Sequence, residues 1–157
     1  MAFFIILILV EIIMYIQFKN KKIKVRQIIA ATVLFVYFWI VLESTVLTRI
    51  STPHPEYELE LFWSWKKAIG EQDVQSMTEI VLNVLLLFPI GLLLPAVTGK
   101  RLRWYQGLMI GVGVSLGIEV LQLVMHRGLF EFDDLVHNGV GCMMGVNVTS
   151  MIWGNKL

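Results

Sequence analysis

Five apolar runs, each close to the length of one membrane-crossing helix, take up most of this 157-residue sequence, and short charged clusters separate them. The runs are residues 2–18, 27–48, 79–97, 105–125 and 134–153. A helix rises about 1.5 Å per residue, so about 20 residues cross a roughly 30 Å hydrocarbon layer. Inside lipid every backbone amide must be paired within the chain, and a sequence this apolar and this short of alternating strands can do this only as helices. Charged residues are 16% of the chain and hydrophobic ones 57%, against roughly 25% and roughly 45–50% in soluble domains. An ordinary water-soluble domain is therefore excluded. The expected fold is all-α, a polytopic membrane helical bundle of about five transmembrane helices. The first run has no basic leading region and no small-residue cleavage site, so it reads as a retained anchor and not a signal peptide. The single cysteine, Cys142, allows no intrachain disulfide.

The charges orient the bundle. Residues 19–26 carry Lys19, Lys21, Lys22, Lys24 and Arg26, and residues 98–104 carry Lys100, Arg101 and Arg103, with no acid in either segment. Basic short loops stay in the cytoplasm. The N-terminus is then outside and the C-terminus, with Lys156, is cytoplasmic. The first basic loop contains no interleaved aromatic residues, so it reads as a topogenic loop beside anionic lipid, and no nucleic-acid partner is expected. Residues 49–78 form the one long polar segment. It holds S-T-P-H-P, the alternating E-Y-E-L-E-L and the aromatic F-W-S-W-K-K. This is an extracellular loop expected to lie on the bundle as a lid or re-entrant piece.

With that topology, alternate helices bring their polar residues to one layer near the outer leaflet. Glu43 sits near the outer end of the second run, Asn83 near that of the third, Glu119 and Gln122 in the outer third of the fourth, and Asp134 and Asn138 in the outer turns of the fifth. Glu119 and Gln122 are three apart and Asp134 and Asn138 four apart, so each pair shares a helix face. A lone carboxylate about six residues inside the membrane costs on the order of 2.5–3.5 kcal/mol on insertion scales. Glu119 must therefore be protonated, paired or hydrated, and Arg127, one loop away, is the nearest cation in sequence. The candidate ligand-binding residues are Glu43, Asn83, Glu119, Gln122, Arg127, Asp133, Asp134 and Asn138. A simpler reading makes Glu119 and Gln122 interhelical glue, and Asp133 and Asp134 caps for the fifth helix. The adjacent aspartates with Asn138 would also suit a hard cation such as Mg²⁺, provided Asp133 lies in the loop. No metal motif is present and no cofactor is expected. His126 and His137 have no zinc spacing, and Ser44 and Ser115 have no recognisable base partner. Gly107, Gly111, Gly113 and Gly117, and Gly141 with Gly145, form small-residue faces for close helix packing or for association of copies.

Two motif blocks resemble the VanZ-like family of bacterial membrane proteins. The first is N-V-L-L-L-F-P-I-G-L-L-L-P at 83–95. The second joins S-x-x-I-E-x-x-Q at 115–122, Arg127, and D-D-L-x-x-N-x-x-G-x-x-x-G at 133–145. The resemblance covers about residues 26–152. It divides the chain into an N-terminal anchor with its basic loop, 1–25, and a four-helix membrane domain, 26–153, with the 49–78 loop inserted. It implies a multi-pass protein of the bacterial plasma membrane. The family's named member confers low-level teicoplanin resistance, which implies glycopeptide resistance or cell-envelope modulation. The partners would be membrane lipids and an amphiphile such as a lipid-linked cell-wall precursor or a lipoglycopeptide. Binding is preferred over catalysis. The alternatives are a Mg²⁺-dependent intramembrane enzyme acting on a phosphorylated or isoprenoid lipid, with Glu119 as acid or base, and a small proton-linked transporter using Glu11, Glu43 and Glu119.

Overall fold

The computed structural model describes residues 2–153 and is mostly helical. Helix α1 spans Ala2–Lys19, and α2 spans Val25–Leu42 and continues into one π-helical turn, Glu43–Leu47. A short strand β1, Glu56–Glu58, precedes α3, Trp63–Gly70. Then come α4, Val74–Thr98, α5, Trp104–Met125, the strand β2, Leu129–Glu131, and α6, Phe132–Trp153. All five apolar runs are helical. Three helical stretches, Val25–Leu47, Val74–Thr98 and Trp104–Met125, are long and apolar enough to cross a membrane.

Local chemistry fixes where these helices stop and start. Asp73 caps α4 by accepting from the Gln75 and Ser76 amides, both at 3.2 Å. That cap starts α4 five residues before the apolar run begins. At the other end Gly99, at φ 65°, takes the left-handed turn that ends the helix. Two long-range bonds fasten one end of the bundle. Gln27 Nε2 donates to the Val97 carbonyl at 3.0 Å, and Ser150 Oγ to the Leu102 carbonyl at 3.0 Å. At the opposite end Gln122 Nε2 donates to the Thr45 carbonyl at 3.0 Å, and Asn83 bonds Asp134. Helices α2, α4, α5 and α6 therefore alternate in direction, which gathers their polar ends.

Helix α6 is the centre of the bundle and packs most closely on α4 and α5. Its polar and small side chains are buried there, including His137, Asn138, Thr149 and Ser150. The contact with α4 is backbone on backbone. A methyl group at Gly141 would run into the Val84 carbonyl, one at Gly145 into the Phe88 carbonyl, and one at Gly91 into the Cys142 carbonyl. The α5 glycines divide. Gly107 and Gly111 abut α6, whereas nothing lies within 4 Å of a methyl built on Gly113 or Gly117. Among the described residues only half of the expected α5 glycine face is used. A cluster of Val41, Val46, Leu87, Ile90, Ile118 and Cys142 closes the interior. Helix α1 lies outermost, against α2, where Phe3 stacks on Phe35 and Thr32 donates to the Glu11 carboxyl.

The polar segment 49–78 folds back over the gathered polar ends. The alternating E-Y-E stretch becomes β1, which pairs in parallel with β2, Tyr57 opposite Phe130. The aromatic stretch becomes α3, which packs against α4.

Candidate functional site

The site is built on Glu119. It is 1% exposed, and its Oε2 accepts from the Glu131 amide at 3.0 Å. The carboxyl of Asp134, from α6, acts on Glu119 electrostatically. Asp134 receives a bond from Asn83 Nδ2 of α4. Behind this pair, Asn138 Nδ2 donates to Ser115 Oγ at 2.9 Å, and Ser115 Oγ donates to the Asp134 carbonyl at 3.2 Å. Three of the expected residues, Asn83, Asp134 and Asn138, thus form one hydrogen-bonded group with Ser115 from three helices, and Glu119 is coupled to it through the charge of Asp134. Gln122 lies one turn beyond Glu119 and joins α5 to the π-turn through Thr45.

Three expected residues do other work. Arg127 does not reach Glu119. It follows the left-handed residue His126, φ 53°, and its guanidinium donates to the Leu47 carbonyl, closing the end of the π-turn. Glu43 is exposed. It lies two residues from buried Val41, about 200° around the helix, so it points away from the interior. Asp133 is buried, 1% exposed, and turns outward to α3. It accepts from the Ser64 amide at 3.0 Å, and from the Phe62 amide and the Ser64 hydroxyl. With Asp133 held there, it and Asp134 do not face a common ion. Among the described residues no group of three or more His, Cys, Asp or Glu is arranged to hold a metal. The three acids of the relay reading stand in separate surroundings: Glu11 against Thr32, Glu43 exposed, and Glu119 buried.

The cation of the site is Arg49. It acts electrostatically on both Glu119 and Asp134, and it lines a cavity of about 410 Å³ with Asn83, Glu79, Glu131 and Asp134. Trp63, Leu82, Leu86, Leu129 and Thr45 complete the wall. Sequence spacing singled out none of Arg49, Trp63, Glu79 and Glu131 as site residues. The one available signal was that Arg49 directly follows the polar end of the second run. The E-Y-E alternation was a signal for a strand, but its partner, 73 residues on, carried no visible mark.

Residues 2–153 match the family model described as VanZ/LLP1. The chain belongs to the VanZ/LLP1 family. The match includes α1, which the motif blocks leave outside. No curated protein and no solved structure is significantly similar. In this VanZ/LLP1 protein both motif blocks meet physically, Asn83 of the first bonding Asp134 of the second.

Glu131 gives the site a titratable rim. Burial, then the charge of Asp134, pushes its carboxyl up to about 7, while the bond from Trp63 Nε1, 2.9 Å, pulls the other way. A carboxyl whose pKa is raised on folding favours the fold fully below its unfolded pKa, about 4.3. That contribution is lost as pH rises through about 7. The thermal midpoint in detergent is expected to fall between pH 4.5 and 7.5, and Glu131→Gln should flatten this slope. Equal slopes in both proteins would contradict the assignment.

Proposed function

We propose that this protein is a multi-pass plasma-membrane protein of five spans, with its N-terminus outside and C-terminus cytoplasmic. In this reading the Arg49 cavity lies at the outer leaflet and binds an amphiphile, under the lid formed by β1 and α3. The observation that carries it is the cavity wall, in which a guanidinium, an amide and carboxyls stand beside three leucines and an indole. Such a wall suits a ligand with a hydrogen-bonding, charge-bearing head and an apolar tail. A lipid-linked cell-wall precursor or a lipoglycopeptide such as teicoplanin has that chemistry. Holding it would confer glycopeptide resistance or modulate the envelope.

Asp134 lines the cavity with Glu119 buried beside it, and Arg49 supplies the anion contact. Glu119→Gln and Asp134→Asn are expected to abolish a teicoplanin-resistance phenotype with membrane abundance unchanged. Arg49→Gln should weaken binding of labelled teicoplanin to the purified protein about tenfold or more, the loss of a charge-assisted hydrogen bond worth about 1.5–3 kcal/mol. Arg127→Gln, which removes the hydrogen bond to the Leu47 carbonyl, should leave binding within about threefold. Survival of the phenotype in both carboxyl variants, or equal effects at Arg49 and Arg127, would sink this reading.

A further inference from the structure

A second pocket lies at the opposite end of the bundle, between the start of α5 and the last turns of α6. It has a volume of about 440 Å³ and is lined by Arg101, Leu102, Arg103, Trp104, Asn147, Ser150 and Met151. Its two arginines are set in place by the backbone. Residues 101–103 are non-helical, and Arg103 is extended, φ −84° and ψ 154°. Both arginines line the pocket, and the Arg103 guanidinium also donates to the Tyr105 hydroxyl at 3.3 Å. The segment is held at its middle, where Ser150 Oγ donates to the Leu102 carbonyl, and the preceding end of α4 is held by Gln27 Nε2 at the Val97 carbonyl. Among the described residues no acid lines the pocket. The α1–α2 turn at the same end adds Lys19, Lys21, Lys22, Lys24 and Arg26, again without an acid.

We propose that this pocket binds the phosphate-bearing headgroup of an anionic membrane lipid. Planar guanidiniums match phosphate oxygens bidentately, as a lysine ammonium does not. Asn147 offers an amide to the remaining headgroup oxygens. The rest of the wall fits a lipid better than a free anion. Trp104 is 56% and Met151 78% exposed, and both continue into the apolar flank of α5 and α6, where Met109 is 70% exposed. A tryptophan at this level prefers the headgroup zone, and Met151 and Met109 lie where acyl chains would run. A basic loop that served only to orient the chain would need charge but no pocket, and its lysine would count as much as its arginines. Lys100 sits in the same loop but does not line the pocket. This site is separate from the Arg49 cavity, and it stands or falls without it.

The test is lipid selectivity. The purified full chain is equilibrated with mixed phosphatidylglycerol and phosphatidylcholine vesicles, and retained lipids are counted by mass spectrometry. Wild type is expected to retain phosphatidylglycerol preferentially. Arg101→Gln and Arg103→Gln should each lower that preference about fivefold, and the double variant about 30-fold. Asn147→Ala, which keeps all charges, should lower it about fivefold, and Lys100→Gln less than about twofold. Each variant's elution and thermal midpoint report that it is folded, and the surface positions of the arginines make loss of the fold a poor explanation of a selective effect. An unchanged preference in the double variant, or an equal loss in Lys100→Gln and Arg101→Gln, would overturn the site. Displacement of the lipid by equimolar glycerol phosphate would show a free-anion site and overturn the lipid assignment.

Discussion

Replacing Gly141 by valine is expected to prevent α6 from seating on α4, and Gly141→Ala should cost roughly 3 kcal/mol, at the upper end of what one added methyl does in a packed interior. The reason is geometric. Most core substitutions meet side chains, which can change rotamer. A methyl at Gly141 meets the Val84 carbonyl, and the neighbouring contact at Gly145 meets the Phe88 carbonyl. Backbone in a helix cannot move aside locally, so relief requires the two helices to separate along several turns. Separation also breaks the bond from Thr149 to the Leu92 carbonyl, 2.9 Å, and the Asn83–Asp134 bond. Gly113→Ala is the control. It lies in the same membrane-type glycine pattern, yet nothing is within 4 Å of the added carbon. There alanine should match or exceed the wild-type stability, since glycine costs a helix interior about 1 kcal/mol. Unfolding by increasing sodium dodecyl sulfate measures both. Similar midpoints for the two variants would refute the close-packing account.

The same contrast shows what could be read from residues. Spacing placed Gly141 and Gly145 on one face, and that face is the α4 contact. It also placed Gly113 and Gly117 on a face that the folded chain leaves open. Spacing defines which residues travel together and does not say which face meets a neighbour. The polar group was legible for a related reason. Alternating helix direction, read from the basic loops, puts Asn83, Glu119, Asp134 and Asn138 at one level, and shared faces do the rest. The choice of cation was not legible. Arg49 and Arg127 flank the same layer, and only the return of residues 49–58 alongside β2 puts Arg49 in the cavity. Arg127 is diverted by the left-handed turn at His126, a conformation taken there by a non-glycine residue. Glu43 sits at the expected level but on the helix face opposite buried Val41, and it begins the π-turn. Buried Val41 and Val46 are five residues apart, a π-type spacing that does not follow α-helical periodicity.

Asp133→Ala should release the lid while the helices stay assembled. Phe62 starts α3 in a left-handed conformation, φ 64°, which costs a non-glycine residue about 1 kcal/mol or more. Such a residue persists only where its surroundings hold it. Here the holder is one carboxylate from α6, accepting from the Phe62 amide, the Ser64 amide and the Ser64 hydroxyl across about 70 residues of sequence. Hydrogen bonds to a charged acceptor are worth about 1.5–3 kcal/mol each and are not additive when they share it, so the latch as a whole contributes about 3 kcal/mol. At about 1.4 kcal/mol per decade, its loss multiplies the opened population of the lid more than about 100-fold. Lys66 and Lys67 lie within α3, so trypsin reads that opening directly, in the regime where cleavage follows the open population. Asp133→Asn should fall between the two, because its amide group still accepts at one atom but presents donors at the other. Phe62→Gly separates the strain from the latch. Glycine adopts φ 64° freely, and the ring it removes is 53% exposed, so this variant should cleave no faster than wild type. If Asp133→Ala leaves the tryptic rate at Lys66 and Lys67 unchanged, the segment is held by α3–α4 packing and the β1–β2 pairing, and Asp133 is not its latch.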